Sequence, residues 1–167
     1  DLEINGHALE LRVYAEDPAN NFLPDIGKLT TYVPPKGPGV RVDDGFEEGM
    51  DIPIYYDPMI AKLVTHGATR EEAIARMLRA IDDYRITGVT TTLPFCSFVL
   101  KHPAFISGKF DTHFVKSYFT PEVLNNASED EEVIAALTAA LVSISGKSVH
   151  NIDDQPAKRS SWKANRL

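Results

Sequence analysis

From His7 to Glu16 the side chains alternate. Leu9, Leu11, Val13 and Ala15 are apolar, and Glu10, Arg12, Tyr14 and Glu16 are polar. A period of two suits an extended strand with one buried face and one wet face, and no helix can present it that way. Asp17–Pro18 ends this strand, because proline has no N–H to give a ladder. The next elements are also short and extended. Asn20 to Ile26 reads as loop. Lys28 to Val33 is a second strand, with Thr30, Thr31, Tyr32 and Val33 all strand-favoured. The turn-rich run from Pro34 to Gly39 leads into a short strand, Val40 to Val42. Asp43 to Asp51 reads as an acidic, exposed turn, and Ile52 to Tyr56 as extended around Pro53. Met59 to Thr65 is an apolar run of strand length.

The pattern then changes to helical. Thr69–Arg70–Glu71–Glu72 is a capping box, in which the Thr69 hydroxyl and the Glu72 carboxylate each satisfy a free backbone N–H. Ile74, Met77, Leu78 and Ile81 form one apolar stripe behind it. Glu72 with Arg76, and Arg79 with Asp83, stand four apart and can pair on the wet face. Arg85–Ile86–Thr87 and Gly88 follow. A second helix is expected over Leu93–Leu100, with Pro94 in its first turn and His102–Pro103 breaking it. A short helix over His113–Phe119 comes next. Residues 120–128 read as a linker, and Glu129–Ser143 as a further helix with its acids at the N-terminal end. From Gly146 the chain is polar and expected to be ordered only by something outside it. Strands first and helices afterwards predict an α+β fold with a mainly antiparallel sheet followed by a helix cluster.

Composition narrows the function. The 167 residues are 43% hydrophobic and 25% charged, ordinary for a globular domain, and the net charge is −7. An acidic chain without clustered Lys and Arg argues against a nucleic-acid surface and against an anionic membrane. No apolar run is long enough to cross a bilayer. The single Cys96 cannot form an internal disulfide, which fits a reducing, cytoplasmic setting. The first residue is Asp and the end lacks an obvious stop, so both termini are expected to be cuts in a longer polypeptide.

No phosphate loop, no G-x-G-x-x-G and no paired C-x-x-C occurs. The five histidines lack metal-ligand spacing, so no metal site formed by this chain alone is expected. The Gly37–Pro38–Gly39 run reads as a turn rather than a phosphate cradle. Arg12 stands out because it sits mid-strand on the polar face between Glu10 and Tyr14. Pattern alone favours a structural ion pair with Glu10 or a cross-strand acid. The alternative is an anion-stabilising guanidinium fixed on a rigid strand. Asp57, between Tyr55–Tyr56 and Pro58, reads first as a turn starter. Arg41 is either a solvated charge or an interface anchor. Lys62, inside an apolar run, reads as a snorkelling stem at a sheet edge.

Taken in order, six strings resemble one family. They are Gly6 to Pro18 (GHAxExRxxAEDP), Phe22–Leu23–Pro24 with Gly27–Lys28–Leu29, Pro38 to Asp43, Tyr55 to Leu63 (YYDxxIxKL), Thr69 to Met77 (TREEAIARM), and Gly108 to Phe114. The set spans residues 6 to about 119 and is similar to the biotin carboxylase component of acyl-CoA, acetyl-CoA and pyruvate carboxylases. The resemblance implies a biotin carboxylase C-terminal, rudiment-hybrid-like domain over 1–119. It also implies a linker and helix over 120–167 leading toward the downstream part of a longer subunit. Glu129 onward, with Ser161–Trp162–Lys163, resembles the segment that follows this domain in long acyl-CoA carboxylase subunits.

The implied reaction has two stages. ATP and bicarbonate form carboxyphosphate, and the released CO₂ then carboxylates the ureido nitrogen of protein-linked biotin. Arg12 matches the arginine implied to hold bicarbonate and the ureido oxygen. Asp57 matches an acid near the biotin site, and Arg41 a position at the dimer contact. The implied cofactors are biotin, carried on a domain outside this chain, and ATP with Mg²⁺ bound by an ATP-grasp region. The ATP-grasp string E-x-N-x-R-x-Q-V-E is not in this sequence, nor is the A-M-K-M biotinylation string. The isolated fragment is therefore expected to be inactive. Implied partners are the rest of the biotin carboxylase subunit, the biotin carboxyl carrier domain, the carboxyltransferase subunit, and a second copy in a full-length homodimer. Two other readings remain: a noncatalytic dimerisation or assembly module, and another ATP-grasp ligase with a similar tail domain.

Overall fold

Strand β1 (His7–Tyr14) carries out the alternation seen in the sequence. Val13 and the following Ala15 are fully buried and Leu11 nearly so, while Glu10 and Arg12 face water. Burying a side chain the size of Val13 or Leu11 stabilises the fold by roughly 1.5–3 kcal/mol. The structure is a computed structural model describing residues 3–53, 55–124 and 129–145. Two compact units are distinguished, Asp1–Asn126 and Ala127–Leu167.

Strand β1 ends at Tyr14, two residues short of the expected Glu16: Ala15 is a bend, and Glu16 belongs to a separate short strand. Asp17 accepts a hydrogen bond from the Ala19 N–H at 2.9 Å and starts a single 3-10 turn, Pro18–Asn20. Two-residue strands β2 (Glu16–Asp17) and β3 (Leu23–Pro24) pair across that turn. The stretch expected to be loop therefore holds a brief ladder, too short to leave any periodicity. Strand β4 is confined to Thr31–Val33, because Lys28 forms only an isolated bridge with Asp51. Strand β5 (Val40–Asp44) runs two residues into the expected acidic turn. Among the described residues of 52–56 no strand forms, and Tyr55 and Tyr56 lie in an exposed turn.

Strand β6 (Met59–Gly67) is the centre of the main sheet, whose order is β1-β6-β5 with both pairings antiparallel. Its inward residues Ala61, Leu63 and Thr65 are buried, and Val64 on the other face is half-buried, so apolar side chains occur on both faces of this strand. The buried Thr65 hydroxyl is satisfied by donating to the Ala73 carbonyl at 3.0 Å. Ile60 is an extra residue, since Val13 pairs with Ala61 but Tyr14 pairs with Met59. This is a β-bulge, which bends a ladder locally.

Helix α1 (Arg70–Asp83) packs across β6 and β1. Its capping box forms with one change. Thr69 Oγ1 accepts from the Glu72 N–H at 3.2 Å, but the Glu72 carboxylate accepts from the Ala68 N–H at 2.6 Å instead of from Thr69. Ala73, Ile74, Met77, Ala80 and Ile81 are buried, and Leu78 only partly. Glu72 pairs with Arg76. The expected Arg79–Asp83 pair is not among the ion pairs that form.

Strand β7 (Arg85–Thr87) pairs antiparallel with β4. Three residues pairing with a partner more than fifty positions upstream give no local signal. Gly88 makes the junction possible. Its φ is +96°, and a Cβ there would stand 1.9 Å from the Lys28 carbonyl oxygen. Tyr32 and Tyr84 then tie this small sheet to the end of α1, hydroxyl to hydroxyl at 2.7 Å, and the Tyr32 hydroxyl also donates to Asp44 at 3.1 Å.

The helix cluster consists of α2 (Leu93–Lys101), α3 (Pro103–Ile106) and α4 (Phe114–Tyr118). His102 ends α2 and also caps α3, its Nδ1 accepting from the Ala104 N–H at 3.2 Å. Phe22, Phe95 and Phe119 pack edge-on or tilted, with centroids 4.8–5.7 Å apart. A 3-10 turn, Pro121–Leu124, closes the first unit. In the second, α5 spans Glu129–Ser145. Residues 125–128 of the expected linker and everything from Gly146 lie outside the described residues. Antiparallel sheets followed by helices make the class α+β, as the order of sequence patterns predicts.

Candidate functional site

The outward face of the main sheet is built by register. β1 and β5 flank β6, so one row reads Arg12–Lys62–Asp43 and the next Glu10–Val64–Arg41. Arg12 is therefore fixed by a central strand on one side and stands just before the bulge at Ile60. Bulges commonly re-aim a neighbouring side chain or end a ladder beside a functional site. Thr92 secures the free edge, its N–H donating to the Tyr14 carbonyl at 3.1 Å and its hydroxyl to the Arg12 carbonyl at 3.4 Å.

The ion pair that pattern favours is present, with Arg12 Nε 3.5 Å from Glu10 Oε1. It does not consume the guanidinium, since the Arg12 side chain remains 56% exposed. A hydrogen bond with the Tyr14 side chain, and then Glu10, hold Arg12 above its ordinary pKa, and like any arginine it stays a cation at neutral pH. Arg12 also borders an open cleft of about 220 Å³ between β1, α1 and α2, lined by Leu9, Leu11, Met77, Cys96 and Phe105 among others. Burial pushes the Cys96 thiol up to about 12, so it is no ready nucleophile at neutral pH.

The other singled-out residues lie nearby or apart. Asp57 is in the exposed turn entering β6. Its neighbour Pro58 accepts from the Ala15 N–H at 2.8 Å, which puts the turn beside the end of β1. Burial first, and the Asp57 charge second, raise the Glu16 carboxyl. Arg12 and Asp57 thus share one end of the sheet without forming an ion pair. Arg41 is two strands away on the same face, 70% exposed and 3.0 Å from Asp43. Lys62 is not at a sheet edge as its sequence context suggests. It lies in the central strand, half-buried between Arg12 and Asp43.

Sequence reasoning missed the brace beneath the cleft. Arg70 donates to the Phe105 carbonyl at 2.7 Å, reaches His7 Nε2 at 3.3 Å and stacks over the Phe105 ring at 4.8 Å. Its contacts are more than thirty residues away, so only the fold reveals them. Among the described residues no cluster of three or more His, Cys, Asp or Glu side chains could hold a metal ion. No described helix is long and apolar enough to cross a membrane. The chemistry available is that of an exposed, rigidly mounted cation beside an apolar cleft. Such a group fits an oxyanion.

Comparison with known proteins agrees with this architecture. The sequence profile of the biotin carboxylase C-terminal domain matches residues 10–117. Biotin carboxylase 1 of Bacillus subtilis is 50% identical over 118 residues, covering 71% of this chain and 26% of the relative. The mitochondrial propionyl-CoA carboxylase alpha chain of Homo sapiens is 41% identical over 155 residues, covering 90% and 21%. Among solved structures, the biotin carboxylase domain dimer of Hydrogenobacter thermophilus 2-oxoglutarate carboxylase, in complex with MgADP, ADP and bicarbonate, superposes with a TM-score of 0.71. That match has 38% identity and covers 76% of this chain and 28% of that one. The chain thus spans less than a third of the length of these relatives. A profile match over most of the chain, with this identity and this fold, makes the chain a member of the biotin carboxylase C-terminal domain family.

Proposed function

We propose that this domain supplies Arg12 to the active site of a biotin carboxylase whose ATP-grasp region lies elsewhere in a longer subunit. The overall reaction is the ATP- and bicarbonate-dependent carboxylation of protein-linked biotin. The single observation carrying this reading is the mounting of Arg12: mid-strand, permanently charged, and more than half exposed beside a cleft. A guanidinium so fixed needs no reorganisation when negative charge develops in front of it. Its planar fork can hold bicarbonate or the ureido oxygen of biotin through two N–H donors, which a lysine cannot reproduce. Asp57 supports that site from the turn at the same end of the sheet. Arg41 serves the contact between two copies.

Nucleotide and Mg²⁺ belong to the ATP-grasp region, and biotin arrives on a carrier domain, so the chain alone does not turn over. The carboxyltransferase subunit sets the final acceptor. The relatives' own names range from propionyl-CoA to 2-oxoglutarate carboxylases, and the acyl-CoA class is our reading for this chain, in the cytoplasm.

The competing reading is a noncatalytic assembly module, in which Arg41 and the exposed sheet face make a subunit contact. Arg12→Ala in the complete subunit separates the two. Biotin carboxylation should fall about 10²–10³-fold, with the dimer mass in solution unchanged. Retained turnover with a lost dimer would establish the assembly module instead.

A further inference from the structure

Resting on the reading of Arg12 above, we propose that Lys62 is the second cation of the same anion site and binds the bicarbonate-class oxyanion directly. Arg12 and Lys62 are directly opposed on β1 and β6, with side chains on the same outward face. Directly opposed residues stand about 5 Å apart, and like charges at that spacing destabilise a sheet. A sheet built for stability alone would place an acid opposite Arg12.

The neighbouring acids offset this repulsion only in part, because each is already engaged by an arginine. Asp43, on the other side of Lys62, is held by Arg41 at 3.0 Å. Glu10 is held by Arg12 at 3.5 Å. Both acids bind arginines on their own strands, and Lys62 is in no ion pair among the described residues. Lys62 is half-buried, and its strand is flanked by β1 and β5. Two cations side by side raise the local potential, and a small anion bridging them converts the repulsion into attraction. The division of labour follows from shape. Arg12 supplies a planar fork that orients an oxyanion, and Lys62 supplies a compact charge that binds it.

The test is Lys62→Met in the complete biotin carboxylase subunit, with initial rates measured against bicarbonate concentration. The KM for bicarbonate should rise about tenfold, equal to about 1.4 kcal/mol, while kcat stays within about twofold of wild type. Lys62→Arg, which keeps the charge, should restore the KM to within about twofold. The melting temperature of Lys62→Met should equal or exceed that of wild type, because a like-charge pair has been relieved. An unchanged KM overturns the proposal, as does a lower melting temperature with kcat and KM failing together, or a dissociated dimer with KM intact. Arg12→Ala, run alongside, keeps the two levels apart. If it retains turnover, the reading of the site fails. If it loses turnover while Lys62→Met leaves the bicarbonate KM unchanged, only the role of Lys62 fails.

Discussion

Strand β1 has two faces that differ in almost everything but their backbone. Leu11, Val13 and the adjoining Ala15 are 9%, 0% and 0% exposed. They pack against the sheet's inner layer and α1. Glu10 and Arg12, one residue out of phase, face water, and Arg12 stands opposite a second cation. The inner face holds the fold together. The outer face carries Arg12, Lys62 and Asp43 in one row, exposed or half-buried, where their side chains stay within reach of solvent. A substitution should therefore damage stability or activity according to parity, even between adjacent residues.

The largest expected stability effect comes from the inner face. Leu11→Ala should cost about 3 kcal/mol, the lost burial plus a cavity beneath the helix, read as a lower midpoint in urea unfolding. A cost under about 1 kcal/mol would mean that β1 is not held by its inner face. A smaller effect is expected one layer away. Thr69→Ala removes the hydroxyl that caps α1 and should cost about 1 kcal/mol, checked by the same unfolding curve. If it costs as much as Leu11→Ala, local capping rather than packing positions the helix behind the sheet.

How far this could be read beforehand depended on the range of the interaction. Ile74, Met77 and Ile81 in α1 and Ile134, Leu137 and Leu141 in α5 share the same spacing. The first set is buried and the second is 59–68% exposed. Periodicity reports that a stripe exists and is silent on what covers it. The capping box and the Glu72–Arg76 pair were legible because their partners lie within four residues. Strand β7, the Tyr32–Tyr84 contact and the Arg70 brace were not, because their partners lie 35 to 63 positions apart.

The candidate site divides in the same way. Alternation shows that Arg12 points outward, and the ion pair with Glu10 is local enough to expect. The opposition of Lys62 is not, because a short apolar run with one lysine looks the same at an edge as at the centre of a sheet. Only the pairing of β6 with both β1 and β5 distinguishes them. Arg12, Asp57 and Arg41 were marked by resemblance. In the fold all three belong to one sheet and its connecting turn, with Arg12 and Asp57 toward the same end.

The function proposed for this domain depends on a planar guanidinium, mounted on a stiff strand, acting on an anion rather than on the fold. Arg12→Lys in the complete subunit tests this most directly, because it keeps the charge and removes the fork. Bicarbonate-dependent carboxylation of biotin should drop at least about tenfold, with the melting temperature within about 2 °C of wild type. Full turnover with lysine at this position, or loss of turnover only together with unfolding, would contradict it.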